Sequence, residues 1–228
     1  MQTIIEAIST EQNASPLLPT QFINTPPYTF DFSRNNPDIP SVNMMDPGDL
    51  HSYITTALQK ANRTWGLGGY GEERLFYQSS ELFKKGTEYR TIHLGIDIWL
   101  PVGTPLFAPL DAVVHSFQNN NNFLDYGPTI ILKHTVGGTI FYTLYGHLAA
   151  TSLETLSVGK AIHHGEQIAS VGGTEENGSW APHLHLQMTT DLLGKSGDFP
   201  GTAAPSEKDY YLSICPDPEI LLSRFLKK

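Results

Sequence analysis

Residues 91–100 read TIHLGIDIWL, an apolar, strand-like run that carries two side chains able to bind a metal ion. Side chains alternate between the two faces of a strand, so His93, Gly95 and Asp97 share one face and aliphatic residues take the other. A fully extended strand would hold the Cα atoms of His93 and Asp97 roughly 13 Å apart, which strains their reach to one ion. Because Gly95 lies midway, it predicts a bend or bulge that brings the two side chains closer.

A second stretch, residues 182–187, reads PHLHLQ and repeats the same alternation. His183 and His185 lie on one face of the predicted strand and the two leucines lie on the other. Two histidines and one carboxylate are a suitable ligand set for zinc and leave a fourth position for water. The spacing alone does not indicate which of His183 and His185 binds the metal.

The composition fits a turn-rich globular protein: 39% of the 228 residues are hydrophobic, and there are 20 Gly and 16 Pro. A formal net charge of -9 argues against a nucleic-acid partner, because phosphate binding requires a basic surface. No run approaches the roughly 20 apolar residues of a membrane span, and the opening MQTIIE lacks the features of a signal peptide. We therefore expect no membrane span and, unless export uses another route, a cytoplasmic protein. The oligomeric state is left open.

Residues 1–71 are predicted to form an N-terminal extension. Residues 1–45 carry repeated prolines and little periodicity, which favours an extended, loop-rich arm. Asp46 then precedes apolar residues spaced by three and four from Leu50 onward. This pattern predicts a helix that is capped by the acidic residue and ends near Asn62. We also expect this extension to pack beside or over the cleft of the second unit and to restrict access to it.

Residues 72–228 change in texture to short strands separated by turns. Gly137 and Gly138 predict a hairpin turn, and Asp217 with Pro218 predicts the start of a short C-terminal helix that runs through Phe225. Many short strands with almost no intervening helix favour a mainly β fold, an antiparallel sandwich or barrel-like structure. The predicted strands are residues 74–77, 91–100, 106–109, 111–117, 129–134, 139–145, 167–171 and 183–188.

Three motifs in this order resemble the M23 family of zinc metallopeptidases, of the LytM and lysostaphin type. They are His93-x-Gly95-x-Asp97, Tyr145-Gly146-His147-Leu148 and His183-Leu184-His185, and the resemblance covers roughly residues 90–190. It implies a compact antiparallel β domain that hydrolyses peptide bonds, typically in peptidoglycan cross-bridges. By position, it also implies that His93, Asp97 and His185 bind Zn²⁺ and that His147 and His183 are the catalytic pair.

The implied chemistry is coherent. Zinc lowers the pKa of its bound water toward 7 and polarises the scissile carbonyl. One histidine can then take a proton from that water while the other stabilises the oxyanion or protonates the leaving amine, and either histidine fits either role. The prediction is therefore a zinc endopeptidase acting on peptidoglycan cross-links or related peptides. The alternative is a non-catalytic zinc-containing module that binds or positions a partner; a phosphocarrier is a weaker idea, since Asp97 and the His-x-His spacing favour a metal.

One departure from the family pattern and one further likeness bear on the substrate. Residues 174–181 differ from the family pattern and are expected to border the site and alter substrate choice. Residues 69–74 and 125–129 look like the M23-type domain that is fused to class III aminotransferases and small-molecule kinases, which weakens the case for murein.

The remaining polar residues are assigned by their surroundings in the sequence. Arg90 is a candidate for binding a substrate carboxylate. We expect His115 and His134 on strand surfaces, and Cys215 as a small buried residue.

Overall fold

The computed structural model describes residues 3–39, 42–43 and 46–226. Lys227 and Lys228 carry the positive charge that suits the C-terminal end of the last predicted helix, but both lie outside the described residues. Within them the protein is mainly β, as predicted, and its large sheet is open and does not close into a barrel. None of the helices in these ranges is long and apolar enough to cross a membrane.

The strands and helices are short, and most of them lie after residue 80. The strands are β1 (Tyr28–Phe30), β2 (Gly66–Gly68), β3 (Lys84–Lys85), β4 (Glu88–Tyr89), β5 (Ile92–His93), β6 (Ile96–Trp99), β7 (Pro105–Phe107), β8 (Ala112–Asn120), β9 (Gly127–Val136), β10 (Thr139–Gly146), β11 (Ala161–Ile162), β12 (Gln167–Ser170), β13 (His183–Thr189) and β14 (Thr202–Ala203). The α-helices are α1 (Ile4–Thr10), α2 (Thr20–Ile23), α3 (Pro47–Lys60), α4 (Lys208–Ile214) and α5 (Ile220–Ser223).

Eight strands form the main sheet, in the order β1-β2-β6-β13-β10-β9-β8-β11. The β1–β2 pair is parallel, and the six other pairs of this sheet are antiparallel. The β9–β10 hairpin turns at Gly137 and Gly138, whose φ angles of 56° and 80° are the positive values that a two-residue turn of this kind requires. The predicted hairpin is confirmed.

The strand predicted at residues 91–100 is broken at Gly95. β5 pairs with β14, whereas β6 joins the main sheet between β2 and β13, so the chain changes sheets at this point. A Cβ atom at Gly95 would lie 2.5 Å from the carbonyl oxygen of Leu186 and 2.8 Å from the ring of His185. The bend predicted at Gly95 is therefore present, and it lets β13 and its histidine approach the backbone closely.

The N-terminal residues are more ordered than the predicted loop-rich arm. α1 has a capping box, in which Thr3 accepts from the backbone of Glu6 and the Glu6 side chain accepts from the backbone of Thr3. β1 and β2 extend the main sheet from this part of the chain. α3 is confirmed, with Asp46 as the N-cap accepting from the Gly48 amide at 2.9 Å. The boundary between residues 71 and 72 remains a prediction.

Two expectations about individual segments are wrong: the strand at residues 74–77 and the extent of the C-terminal helix. Residues 75–79 form a 3₁₀ helix in place of the predicted strand at 74–77, because the buried Arg74 and Tyr77 point to the same side and are joined by a Tyr77 N–H···O=C Arg74 bond of 3.3 Å. The C-terminal helix α5 ends at Ser223, before Phe225, and the sequence reading did not include α4.

His134 is fully buried in β9 and does not lie on the surface. Its Nδ1–H donates to the Asp111 carbonyl at 3.0 Å, its Nε2 accepts from the Thr143 hydroxyl at 2.8 Å, and its ring stacks on Phe141. The prediction failed because β9 is covered on both faces, which its sequence alternation does not show. Cys215 is buried, as expected.

Candidate metal centre and active site

Three of the five predicted site residues bring their ligand atoms to one point. The Nε2 of His93 lies 3.1 Å from the Nδ1 of His185, and Oδ1 of Asp97 lies 3.3 Å and 3.2 Å from these two nitrogens. All three side chains are almost completely buried. In a tetrahedral site with metal–ligand bonds of about 2.1 Å, ligand atoms lie roughly 3.4 Å apart. The observed separations therefore fit a zinc-sized ion among these three residues.

Outer hydrogen bonds fix which ring nitrogen of each histidine faces the site. The Nδ1–H of His93 donates to the Gly69 carbonyl at 3.0 Å, and the Nε2–H of His185 donates to Oε1 of Gln187 at 3.0 Å. The two nitrogens that face each other are thus both unprotonated. Two lone pairs and a carboxylate oxygen at this spacing repel one another unless a cation lies between them. This is the donor set and the outer support that metal sites use.

Asp97 is divided between the site and a buried arginine. Its Oδ2 accepts from Nη1 of Arg74 at 2.6 Å, and Oδ1 is left for the histidines. Burial alone would raise the pKa of Asp97, but its interactions with His93 and the Arg74 guanidinium outweigh burial and hold the pKa well below its usual range. Burial, together with the nearby Arg74 charge, lowers the pKa of His93 to about 4. Asp97 is therefore a carboxylate and His93 a neutral imidazole at neutral pH.

The two histidines predicted as the catalytic pair lie beside this cluster. Their ring centroids are 4.3 Å apart, and Nε2 of His183 lies 3.6 Å from Oδ1 of Asp97. The Nδ1–H of His147 donates to the Asn177 carbonyl at 2.9 Å, and that of His183 donates to the Ala181 carbonyl at 2.7 Å. Burial lowers the pKa of both, and that of His147 falls well below its usual range. Both rings are neutral at pH 7, and each has an unprotonated Nε2 that can accept a proton.

Backbone geometry contributes to the position of His147. It follows Gly146, the last residue of β10, whose register partner on β13 is His185. The φ angle of His147 is 63°, a left-handed conformation that costs a non-glycine residue roughly 1–2 kcal/mol. Its amide donates to the Tyr126 carbonyl at 2.8 Å. Strain of this kind persists only where the surrounding structure holds it, and it clusters at functional sites.

A cavity of about 220 Å³ reaches His93, His147 and His185. Its wall combines aromatic rings with charges of both signs. Arg90 is among the lining residues, and its contact with a substrate carboxylate remains a prediction. The aromatic lining residues include Tyr77, Phe83, Tyr126, Trp180 and Phe199, and the charged ones besides Arg90 are Asp125, Lys195 and Asp198.

The segment at residues 174–181 borders the site, as expected. Asn177 holds the His147 ring through its carbonyl, and the Trp180 ring lies 6.0 Å from that of His147. The N-terminal extension lies on another side, where Phe32 and Leu50 help to line a small cavity of about 30 Å³ that also touches Asp97. The extension thus packs beside the site, and restriction of access by it remains a prediction.

Sequence reasoning missed several residues that support the site. Four of the five predicted side chains, those of Asp97, His93, His147 and His185, are held by Arg74, Gly69, Asn177 and Gln187 respectively. Gln187 had a usable signal, because it follows His185 by two residues and so shares its face of the strand. Arg74 lies 23 residues before its partner Asp97, and no periodicity connects the two.

Comparison with known proteins finds a family model that matches the part of the chain holding the site. Residues 91–196 match the model of peptidase family M23. The DD-carboxypeptidase/endopeptidase Mpg of Neisseria meningitidis serogroup B is 36% identical over 96 residues, which are 42% of this chain and 20% of that protein. The peptidoglycan DD-endopeptidase ShyC of Vibrio cholerae is 30% identical over 104 residues, 46% of this chain and 22% of that protein. The chain thus spans about a fifth of the length of these curated relatives.

Among solved structures, the catalytic domain of lysostaphin from Staphylococcus simulans shares 22% identity, with 59% of this chain and 96% of that chain covered and a TM-score of 0.36. All five predicted site residues lie within the part that matches the family model, whereas Arg74 and Gly69 precede it. Residues 91–196, which hold the site, thus match peptidase family M23, the family that the three motifs resemble.

Proposed function

We propose that the protein is a zinc-dependent endopeptidase that cleaves peptide bonds in peptidoglycan cross-links or related peptides. The observation that carries this proposal is the convergence of His93 Nε2, Asp97 Oδ1 and His185 Nδ1 within 3.3 Å of one another. Two further neutral histidines beside them supply the proton transfers that peptide hydrolysis requires.

The chain's own residues have distinct roles in this proposal. His93, Asp97 and His185 hold the zinc ion, which when bound polarises the scissile carbonyl and activates water. His147 and His183 start as neutral imidazoles, so the pair can accept a proton from the attacking water through Nε2. Once protonated, the pair can donate to the leaving amine. The carbonyls of Asn177 and Ala181 keep each ring in the required tautomer.

The cavity next to the histidines favours a peptide with polar or charged side chains. Its charged lining residues are Arg90, Asp125, Lys195 and Asp198, and burial, with Asp125 nearby, raises the pKa of Asp198. A mixed-charge wall suits a substrate that carries both carboxylate and amine groups. The relatives named as peptidoglycan DD-endopeptidase and DD-carboxypeptidase/endopeptidase support this class of substrate.

The depth of the site favours a second candidate, a non-catalytic module whose metal site positions a partner. Each of the five side chains is at most 5% exposed, so a long peptide reaches them only through the 220 Å³ cavity or after a movement of the chain. Retention of both His147 and His183 counts against this candidate, because a purely structural metal site needs neither.

The test is digestion of purified peptidoglycan and of a synthetic cross-linked peptide by the zinc-loaded protein. We expect release of new amino groups, loss of the release on chelation and recovery on adding zinc. His147→Ala is expected to retain zinc and lose cleavage by roughly 10²- to 10⁴-fold. The matched control is His163→Ala, whose side chain is 81% exposed in a turn and which is expected to cleave normally. Cleavage that survives chelation contradicts the proposal, and zinc binding without cleavage of either substrate favours the second candidate.

A further inference from the structure

Arg74 is buried to 2% exposure and precedes the residues that match the M23 family. Its backbone is fixed by a hydrogen bond, which the Arg74 amide donates to the Thr91 carbonyl at 2.8 Å, and by the neighbouring β-bridge between Glu73 and Ile92. The guanidinium lies over the Phe32 ring at 5.2 Å. A buried arginine costs several kcal/mol unless it is paired and hydrogen-bonded, so its contacts are expected to serve a purpose.

Those contacts join the N-terminal extension to a predicted metal ligand. The Phe32 amide donates to Oε1 of Glu72 at 2.8 Å, and Nε of Arg74 donates to Oε2 of the same carboxylate at 2.8 Å. Nη1 of Arg74 then donates to Oδ2 of Asp97 at 2.6 Å and to the Tyr77 hydroxyl at 3.1 Å. Arg74 is thus held on one side by Glu72, and on the other it holds one oxygen of Asp97.

The same part of the chain also holds His93. Its ring donates to the Gly69 carbonyl, its amide donates to the Glu72 carbonyl at 2.9 Å, and its carbonyl accepts from the Gly71 amide at 2.9 Å. Residues 69–74, which we call the support segment, therefore contact two of the three residues that would hold the metal. The third, His185, is supported from within its own strand by Gln187.

We propose that Arg74 is a positioning residue for the metal site, which presents Asp97 to the ion through Oδ1 alone. The inference rests on the proposed function, because it assumes that His93, Asp97 and His185 bind zinc. With Oδ2 engaged by Arg74, rotation of the carboxylate would break this hydrogen bond, so Oδ1 is the oxygen that faces the histidines. On this view the support segment completes the site of the M23 domain, although it lies outside the matched residues.

Positioning by Arg74 predicts that its loss weakens zinc binding, whereas its charge alone predicts that its loss tightens zinc binding. The direction of the change in zinc affinity therefore tests the proposal. A fixed positive charge close to a cation site repels the cation, so loss of Arg74 would tighten binding if charge were its main contribution. The Glu72 carboxylate, at 2.8 Å from Arg74, offsets that charge. We therefore expect the positioning effect to be the larger one.

The test compares zinc affinity in Arg74→Lys with the unmodified full chain, by competition with a chromogenic chelator. Lysine keeps the charge but lacks the planar fork that bridges Glu72 and Asp97. We expect the Kd for zinc to rise roughly 10- to 100-fold, the range seen when outer partners of metal ligands are removed. Cobalt substitution supplies a second readout, since the visible spectrum of the cobalt form reports coordination geometry and is expected to change in the variant.

Controls separate positioning from general damage. Arg34→Lys alters an arginine that is 55% exposed and paired with Glu73, and it is expected to leave the Kd unchanged. If Arg74→Lys does not fold, the double variant Glu72→Gln with Arg74→Met removes both charges and allows the same measurement. An unchanged or lower Kd in the folded variant overturns the inference alone. Failure of the unmodified chain to bind zinc overturns the proposed function and the inference with it.

Discussion

Replacing Gly95 with alanine would put a methyl group into the closest approach between the bent strand and β13. The added Cβ would lie 2.5 Å from the Leu186 carbonyl oxygen and 2.8 Å from two atoms of the His185 ring. To reach 3.0 Å, the shortest separation that real Cβ atoms show, the carbonyl must move by about 0.5 Å and the ring by about 0.2 Å. Gly95 does not occupy the left-handed region, so the effect comes from space alone.

Overpacking of this size costs about 1–3 kcal/mol of stability. The shift falls on a residue that would bind the metal, and metal sites tolerate distance errors of only about 0.2 Å. We therefore expect Gly95→Ala to lower the free energy of unfolding of the metal-free protein by that amount. We also expect it to raise the Kd for zinc by roughly tenfold or more. Denaturant unfolding with a chelator present gives the first quantity, and chelator competition gives the second.

Gly103→Ala is the matched control. Its φ of 77° strains an alanine by roughly 1–2 kcal/mol, yet the added Cβ meets no atom within 4 Å. It is expected to lose similar stability and to keep the zinc affinity of the unmodified protein. If Gly95→Ala binds zinc as tightly as Gly103→Ala does, the reasoning is refuted: close packing against His185 is then not the reason for a glycine at position 95.

Three further changes test other parts of the structure. Gln187→Met removes the acceptor of the His185 Nε2–H. The zinc affinity, measured by chelator competition, should fall roughly tenfold or more. An unchanged Kd would show that the His185 tautomer is held without Gln187. Burial lowers the pKa of His134 from 6.5 to about 4, so the unfolded chain binds a proton that the folded chain refuses. The protonation of His134 therefore leaves the free energy of unfolding unchanged above pH 6.5. As the pH falls toward 4, the free energy of unfolding decreases, by about 2 kcal/mol at pH 5. His134→Gln should shrink the difference in unfolding free energy between pH 7 and pH 5 by that amount, and an identical pH dependence would contradict the assignment. Asp46→Ala removes the cap of α3 on the Gly48 amide and should cost about 1 kcal/mol in denaturant unfolding; no loss would mean that the cap contributes nothing.

The candidate site was accessible from the sequence because strand alternation is a local rule. β6 and β13 pair antiparallel with Asp97 opposite His185, so residues that share a face in each predicted strand also meet across the pair. The bend at Gly95 followed from the same reasoning. Strand alternation did not indicate that His185, and not His183, is the metal ligand. That prediction came from the resemblance to the M23 family.

The supporting residues were beyond local rules. Arg74 meets Asp97 only after the chain turns back through a 3₁₀ helix, and Asn177 meets His147 across 30 residues. Such contacts depend on tertiary packing, which no short-range period encodes. The burial of His134 has the same cause, since the second cover of β9 comes from elsewhere in the chain.

The N-terminal extension shows a different limit. Because the extension is rich in proline, it was predicted to be a loop-rich arm, and α1 was missed. Thr3 and Glu6 nevertheless have the three-residue spacing of a capping box, which could have been recognised. Its Phe30 and Phe32 pack on Trp99 next to the site, with ring centroids 6.0 Å and 5.7 Å away. Isolated aromatic residues in an irregular segment give no periodic signal, so the packing partner could not be predicted from them.

The central claim is that His93, Asp97 and His185 form one metal site. The most direct test is the metal content of the purified chain, measured by elemental analysis beside that of His93→Ala after both are exposed to zinc and dialysed. The account predicts about one zinc per chain in the unmodified protein and a large loss in the variant, with both proteins folded. Zinc absent from the unmodified protein, or retained in full by His93→Ala, would contradict it.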